Sequence, residues 1–252
     1  MNRYPEHIDP HDPESASLFV RVEHLARYLF AAEFVRKRKL KKVLDCACGS
    51  GYGSIVLAAK AESVTAIDRN SRLIEQGMTN CSAKGIGNIA FHEADLNDGL
   101  GVYTDGSFDC VACFETLEHV EQDERLLMEY ARVLRRGRWL LVSAPKAGYE
   151  GTNPDGRPEN PWHLRLYEPK ALKELLARCG FAVERELGQP YANMLRANDE
   201  SFRRDSTTPR DALNGFFSNS PDALEYYARL WAWPTAEMPE KSNVILLVCR
   251  KK

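Results

Sequence analysis

Between residues 43 and 187 short apolar runs alternate with amphipathic stretches, and few folds admit that alternation. VLDCA (43–47), SVTAID (63–68), IAFHEAD (89–95), FDCVACF (108–114), RWLLVSA (138–144) and FAVEREL (181–187) read as strands, and a last one follows in NVILLVCRK. Helices are predicted over Ile55 to Ala61, Arg72 to Lys84, Leu126 to Leu134 and 168–179. Ahead of them, residues 15–39 read as a helix capped by Ser15, with Leu18, Val22, Leu25, Leu29 and Ala32 at helical spacing. Strands separated by helices of this length form βαβ units and a largely parallel sheet. Right-handed crossovers then cover both faces, which makes the sheet doubly wound.

Two stretches depart from the rhythm. Residues 145–169 form a long loop rich in glycine and proline, and residues 188–242 separate the last two strands. The second stretch is rich in aromatic residues, among them Phe202, Phe217, Trp231 and Trp233. Long irregular segments in a compact domain are usually functional, so both are expected on the substrate side, 188–242 as an inserted lid or cap. The whole chain, 1–252, is expected to be a single domain with 1–42 as a helical extension. Its formal charge of −2 gives no global field toward nucleic acid. The basic run Arg36 to Lys42 reads as a solvated helix end. No window approaches roughly 20 uncharged apolar residues, so no membrane span is expected. Seven cysteines, an odd number and mostly within apolar runs, suit a reducing cytoplasm. Cys110 and Cys113 lie on a predicted strand, where residues three apart face opposite ways and cannot share a metal.

Ligands of open α/β sheets bind beyond the carboxyl ends of the strands. Four features of this chain fall there. Asp45, Ala47, Gly49, Ser50 and Gly51 leave the first strand in a glycine turn that lets backbone approach a ligand. Asp68, followed by Arg69, ends the second strand, where a carboxylate can accept both hydroxyls of a ribose. Ala94, Asp95 and Leu96 end the third and can read an adenine edge, and Phe114 to His119 end the fourth. The glycine register lacks the third glycine of a dinucleotide site and has no Gly-Lys-Ser/Thr.

Taken together, VLDCACGSGYG, VTAID, HEADL and FDCVACFETLEHV resemble the motifs of class I S-adenosylmethionine-dependent methyltransferases. The resemblance spans roughly 40–187 and the final strand. It implies a seven-stranded Rossmann-like sheet whose last strand inserts antiparallel, with S-adenosylmethionine as cofactor and S-adenosylhomocysteine as product. Residues 23–31 and 160–167 resemble, over a shorter span, bacterial methyltransferases associated with glycan assembly. That likeness implies that Arg27 and Tyr28 close over the methionine end of the cofactor.

The acceptor is expected to be a hydroxyl of a glycan or another small molecule, with an aromatic acceptor as second choice. A hydroxyl acceptor benefits from a general base, and His163 in the 145–169 loop is the first candidate, with His119 and Glu115 beside it. Glu115, Glu118 and His119 share one helical face and with His163 could instead hold a divalent metal, which is not the favoured reading. A non-catalytic module that binds S-adenosylmethionine is the alternative from another class.

Overall fold

The computed structural model describes residues 7–192, 216–217 and 219–252. Its centre is a seven-stranded sheet in the order β3-β2-β1-β4-β5-β7-β6. The strands are β1 (Lys42–Cys46), β2 (Ser63–Asp68), β3 (Ile89–Glu93), β4 (Phe108–Phe114), β5 (Leu134–Pro145), β6 (Phe181–Leu187) and β7 (Val244–Lys251). β1 to β5 pair in parallel, and β7 runs antiparallel to both of its neighbours. Strand order reverses between β1 and β4, so the carboxyl ends of those strands open a crevice.

The helices are α1 (Leu18–Arg38), α2 (Tyr52–Ala58), α3 (Ser71–Ala83), α4 (Asp123–Val133), α5 (Pro169–Arg178) and α6 (Pro221–Trp231). Two cores lie on opposite faces of the sheet, and β4 feeds both. Val111 and Cys113 point into the core shared with α4 and α5, and Cys110 and Ala112 into the core shared with α1 and α2. The predicted separation of Cys110 from Cys113 is thus observed, and all seven thiols are buried and free.

Several boundaries differ from the sequence reading; α2 and α4, for example, each begin three residues earlier than expected. α1 starts at Leu18 with Ser17 as N-cap, because the Ser15 hydroxyl is drawn back to donate to the carbonyls of Asp9 and Asp12 at 2.7 and 2.8 Å. β3 stops at Glu93, because Asp95 turns out of the sheet and accepts from the backbone N–H of Asn97. β5 begins early at Leu134 and absorbs a register shift against β4.

α1 is buried along nearly its whole length, Arg21 and Arg27 included. The reason is that it is covered twice, by α2 and the sheet on one side and by α6 on the other. Of the 188–242 stretch, the described aromatics Phe217, Tyr227 and Trp233 pack against α1, and Phe202 lies outside the described residues. The basic end of α1 is anchored locally: Arg36 pairs with Glu33, and the Arg38 guanidinium lies 4.4 Å above the Trp139 ring. Among the described residues no helix is long and apolar enough to cross a membrane.

Candidate cofactor and acceptor site

A cleft of about 980 Å³ opens at the carboxyl ends of β1 to β4. The chain reaches it through strained turns. Ala47, directly after β1, has φ of +56°, and Glu115, directly after β4, has φ of +50°. Left-handed backbone costs a side-chain-bearing residue roughly 1–2 kcal/mol, and such strain gathers at functional sites. Gly51 caps α2 at φ +77°, and a Cβ there would stand 2.7 Å from the Phe91 ring. The turn therefore requires glycine for conformation and for space.

The sequence-predicted residues divide into two groups. Ala47, Gly49, Asp68 and Arg69 line the cleft, as do Ala94, Asp95, Leu96 and Phe114. Tyr28, Glu115 and His119 complete the predicted set on its wall. Asp68 accepts from the Gly49 N–H at 2.8 Å through one oxygen and from the Asn70 N–H at 2.9 Å through the other. Asp95 caps the turn Leu96–Asp98.

The second group stands behind the wall. Asp45 is fully buried and accepts from Tyr28 Oη at 2.8 Å and Ser54 Oγ at 2.6 Å. Burial raises its carboxyl to about 7, against the opposing pull of those two donors. Asp45 thereby holds Tyr28, whose ring meets Phe114 and Tyr52 edge-on at 5.1 and 5.2 Å. Arg27 does not reach the cleft: its Nη1 donates to Gln189 Oε1 at 2.7 Å, tying α1 to the chain just beyond β6. Ser50 and Gly51 are buried beneath the turn.

His163 also lies off the cleft wall. Its Nδ1 is 3.0 Å from Glu150 Oε1 and its Nε2 is 2.9 Å from Asn160 Nδ2. The Asn160 oxygen accepts from Trp162 N, so Asn160 presents its amide nitrogen to the ring. The His163 ring backs that of His119, centroids 5.0 Å apart. The His119 Nδ1 meets the Trp162 carbonyl at 2.8 Å, and its Nε2 lies 3.9 Å from Glu118 Oε1. Glu115 accepts from Ser143 Oγ at 2.7 Å. Glu118 is buried with neither carboxyl oxygen hydrogen-bonded, and burial, with Glu115 nearby, drives its pKa well above the usual range.

Sequence reasoning missed several lining residues, notably His7, Ile8, His24, Tyr52 and Thr116. Tyr52 and Thr116 lie inside the recognised motifs but were not singled out there as lining residues. His7 and Ile8 precede the first periodic segment and give no such signal.

Residues 43–137 match the family model of the methyltransferase domain. Within those residues the chain carries a methyltransferase domain. A probable S-adenosylmethionine-dependent methyltransferase of Mycolicibacterium smegmatis is 34% identical to this chain over 59% of it and 54% of its own length. A ubiquinone biosynthesis O-methyltransferase of Paracidovorax citrulli is 30% identical over 41% of the chain and 43% of its own length. The chain thus spans about half the length of the curated relatives it matches. Among solved structures, the [4+2]-cyclase SpnF superposes with a TM-score of 0.62 at 19% identity, over 98% of this chain and 86% of that one. A SAM-dependent methyltransferase from Aquifex aeolicus gives 0.52 at 22% identity, over 70% and 92%. These likenesses concern the fold, and the cyclase shows that one such fold need not mean one reaction.

Proposed function

We propose that the protein transfers the methyl group of S-adenosylmethionine to a hydroxyl of a small molecule or glycan. One observation carries the cofactor assignment: the glycine turn, Asp68, Asp95–Leu96 and Phe114, from four separate strand ends, line one cleft. The cofactor supplies an activated methyl on a sulfonium, so the protein's share is positioning, exclusion of water and handling of one proton. Asp68 would accept the ribose hydroxyls, and Tyr28 and Phe114 would wall the reacting end. His119 carries the proton step better than His163, because it lines the cleft and His163 does not. In this reading His163, Asn160 and Glu150 hold His119 by packing. The hydroxyl of a glycan is supported by an open cleft with few aromatic rings, namely Tyr28, Tyr52 and Phe114. The described aromatics of 188–242 do not reach it, which leaves an aromatic acceptor with less support. The seven free buried thiols support a cytoplasmic setting.

Calorimetry with S-adenosylmethionine and S-adenosylhomocysteine tests the assignment, and binding of neither at millimolar concentration would overturn it. Binding without turnover on any hydroxyl acceptor would leave a cofactor-binding module instead.

A second reading has its own observation. Ligand atoms of Glu118, His119 and His163 lie within 4.8 Å of one another. His119 holds Nδ1 against the Trp162 carbonyl, the arrangement that orients Nε2 toward a metal, and neither Glu118 oxygen is hydrogen-bonded, whereas His163 Nε2 would have to exchange Asn160 Nδ2 for the ion. A divalent ion there would lower the pKa of the acceptor hydroxyl. Glu115, bonded to Ser143, stays outside this group. Chelation separates the two readings: activity lost to EDTA and restored by magnesium, manganese or zinc assigns the metal. Full activity in EDTA, with His119→Ala slowed about 10²–10⁴-fold, assigns the base.

A further inference from the structure

The segment ahead of α1 forms no part of any motif, yet it is built into the cleft. A Cβ added to Gly49 would lie 2.5 and 2.6 Å from His7 Cε1 and Nδ1, so the imidazole rests directly on the glycine turn. His7 and the adjoining Ile8 both line the cleft. Asp68, the acid expected to take the ribose, is close enough to the His7 ring to act on its charge, together with Asp9 and Asp12. The ring is nonetheless held toward its neutral form, since burial outweighs those carboxylates.

What fixes the segment is a set of polar ties at both ends. Asp9 Oδ2 accepts from Ser50 Oγ at 2.8 Å, and Ser50, inside the first motif, is fully buried. The other end is folded on itself: the Ser15 hydroxyl joins the carbonyls of Asp9 and Asp12, and Asp9 Oδ1 accepts from the His11 N–H at 2.9 Å. The Pro10 carbonyl accepts from Arg21 Nη1 at 2.9 Å, and Arg21 is a wholly buried cation of α1. The same turn of the first motif therefore has the sheet beneath it and this strap above it.

We propose that residues 7–10 belong to the cofactor site: His7 and Ile8 cover the part of the cofactor lying along the Gly49 turn, and the Asp9–Ser50 hydrogen bond latches them in place. This rests on the methyltransferase reading. The ligand it serves is a nucleoside sulfonium or its thioether product, and the strap governs how quickly either leaves. Interactions that hold a bound ligand in place act chiefly on its dissociation.

The test uses the full chain and S-adenosylhomocysteine as probe. His7→Ala and Asp9→Ala should each weaken its affinity about tenfold, nearly all of it as faster dissociation in stopped-flow displacement. Asp9→Asn keeps an acceptor oxygen for Ser50 and should recover most of the loss. Amides of residues 7–15 should gain hydrogen-exchange protection when the ligand is added, and the ligand-free melting temperatures of the variants should match that of the unmodified protein. The proposal fails if the unmodified protein binds the probe while both variants bind it with the same affinity and dissociation rate. It fails too if weaker binding merely follows lower melting temperature in both. Absence of binding by the unmodified protein overturns the strap and the methyltransferase reading together, and so is distinct from either failure.

Discussion

Two carboxylates of the site show how the same side chain serves opposite ends. Asp68 accepts from two backbone N–H groups and sits on the cleft wall, within reach of a ligand. Asp68→Ala should weaken S-adenosylhomocysteine binding by roughly 1.5–3 kcal/mol, read by calorimetry, because charge-assisted hydrogen bonds are lost. An unchanged affinity would mean that another acid binds the ribose. Asp45 is instead sealed beneath Tyr28 and Ser54, with its carboxyl at about 7. Because the folded value lies above the unfolded one, its favourable contribution is complete only at low pH and is lost as pH rises through about 7. Between pH 5.5 and 8.5 that amounts to about 2 kcal/mol, at 1.36 kcal/mol per unit. Asp45→Asn, which cannot ionise, should therefore lose less stability over that range than the unmodified protein, measured by denaturant melts at both ends. Asp68 and Asp95 were legible as cleft residues because the first ends a strand and the second lies two residues beyond one, in a fold where strand ends make the site. The surroundings of His119 and His163 were not legible, since His119 meets a carbonyl 43 residues away and His163 meets side chains of its own loop.

At the scale of elements, the alternation of strands and helices was readable because each βαβ unit is local, with its period written in consecutive residues. Ends were less so: Ser15 looks like a cap, but its hydroxyl is taken by Asp9 and Asp12. The aromatic richness of 188–242 suggested a cover for substrate; of its described rings Phe217, Tyr227 and Trp233 pack with α1, while Phe216, Tyr226 and Trp231 are exposed. Apolar content reports that a segment is buried without saying against what. α1 matters to the site through one close approach. A Cβ on Gly53 would fall 2.3 Å from the Tyr28 ring, so α1 and α2 can seat Tyr28 on the cleft wall only with glycine at 53. Gly53→Ala should cost about 1–3 kcal/mol of stability by overpacking. It should also weaken cofactor binding by displacing Tyr28, whereas a fall in stability with intact affinity would show that the ring is not needed there.

For the molecule as a whole, the antiparallel insertion of β7 between β5 and β6 sets a condition on how the sheet is assembled. The pairing of β6 is with β7 alone, and the chain runs from Leu187 to Val244 before that partner arrives. Removing Val244–Lys251 would leave β5 with a bare edge and β6 with none to join, so such a truncation should lose cooperative unfolding in calorimetry. A protein emerging from the ribosome amino end first therefore has β1 to β5 in hand well before the sheet can be finished. During that interval β5 offers an unpaired row of amides and carbonyls, and the wait lengthens with translation time. Slow codons between 188 and 243 would prolong the exposure, and chaperone dependence during synthesis is where this topology would make itself felt.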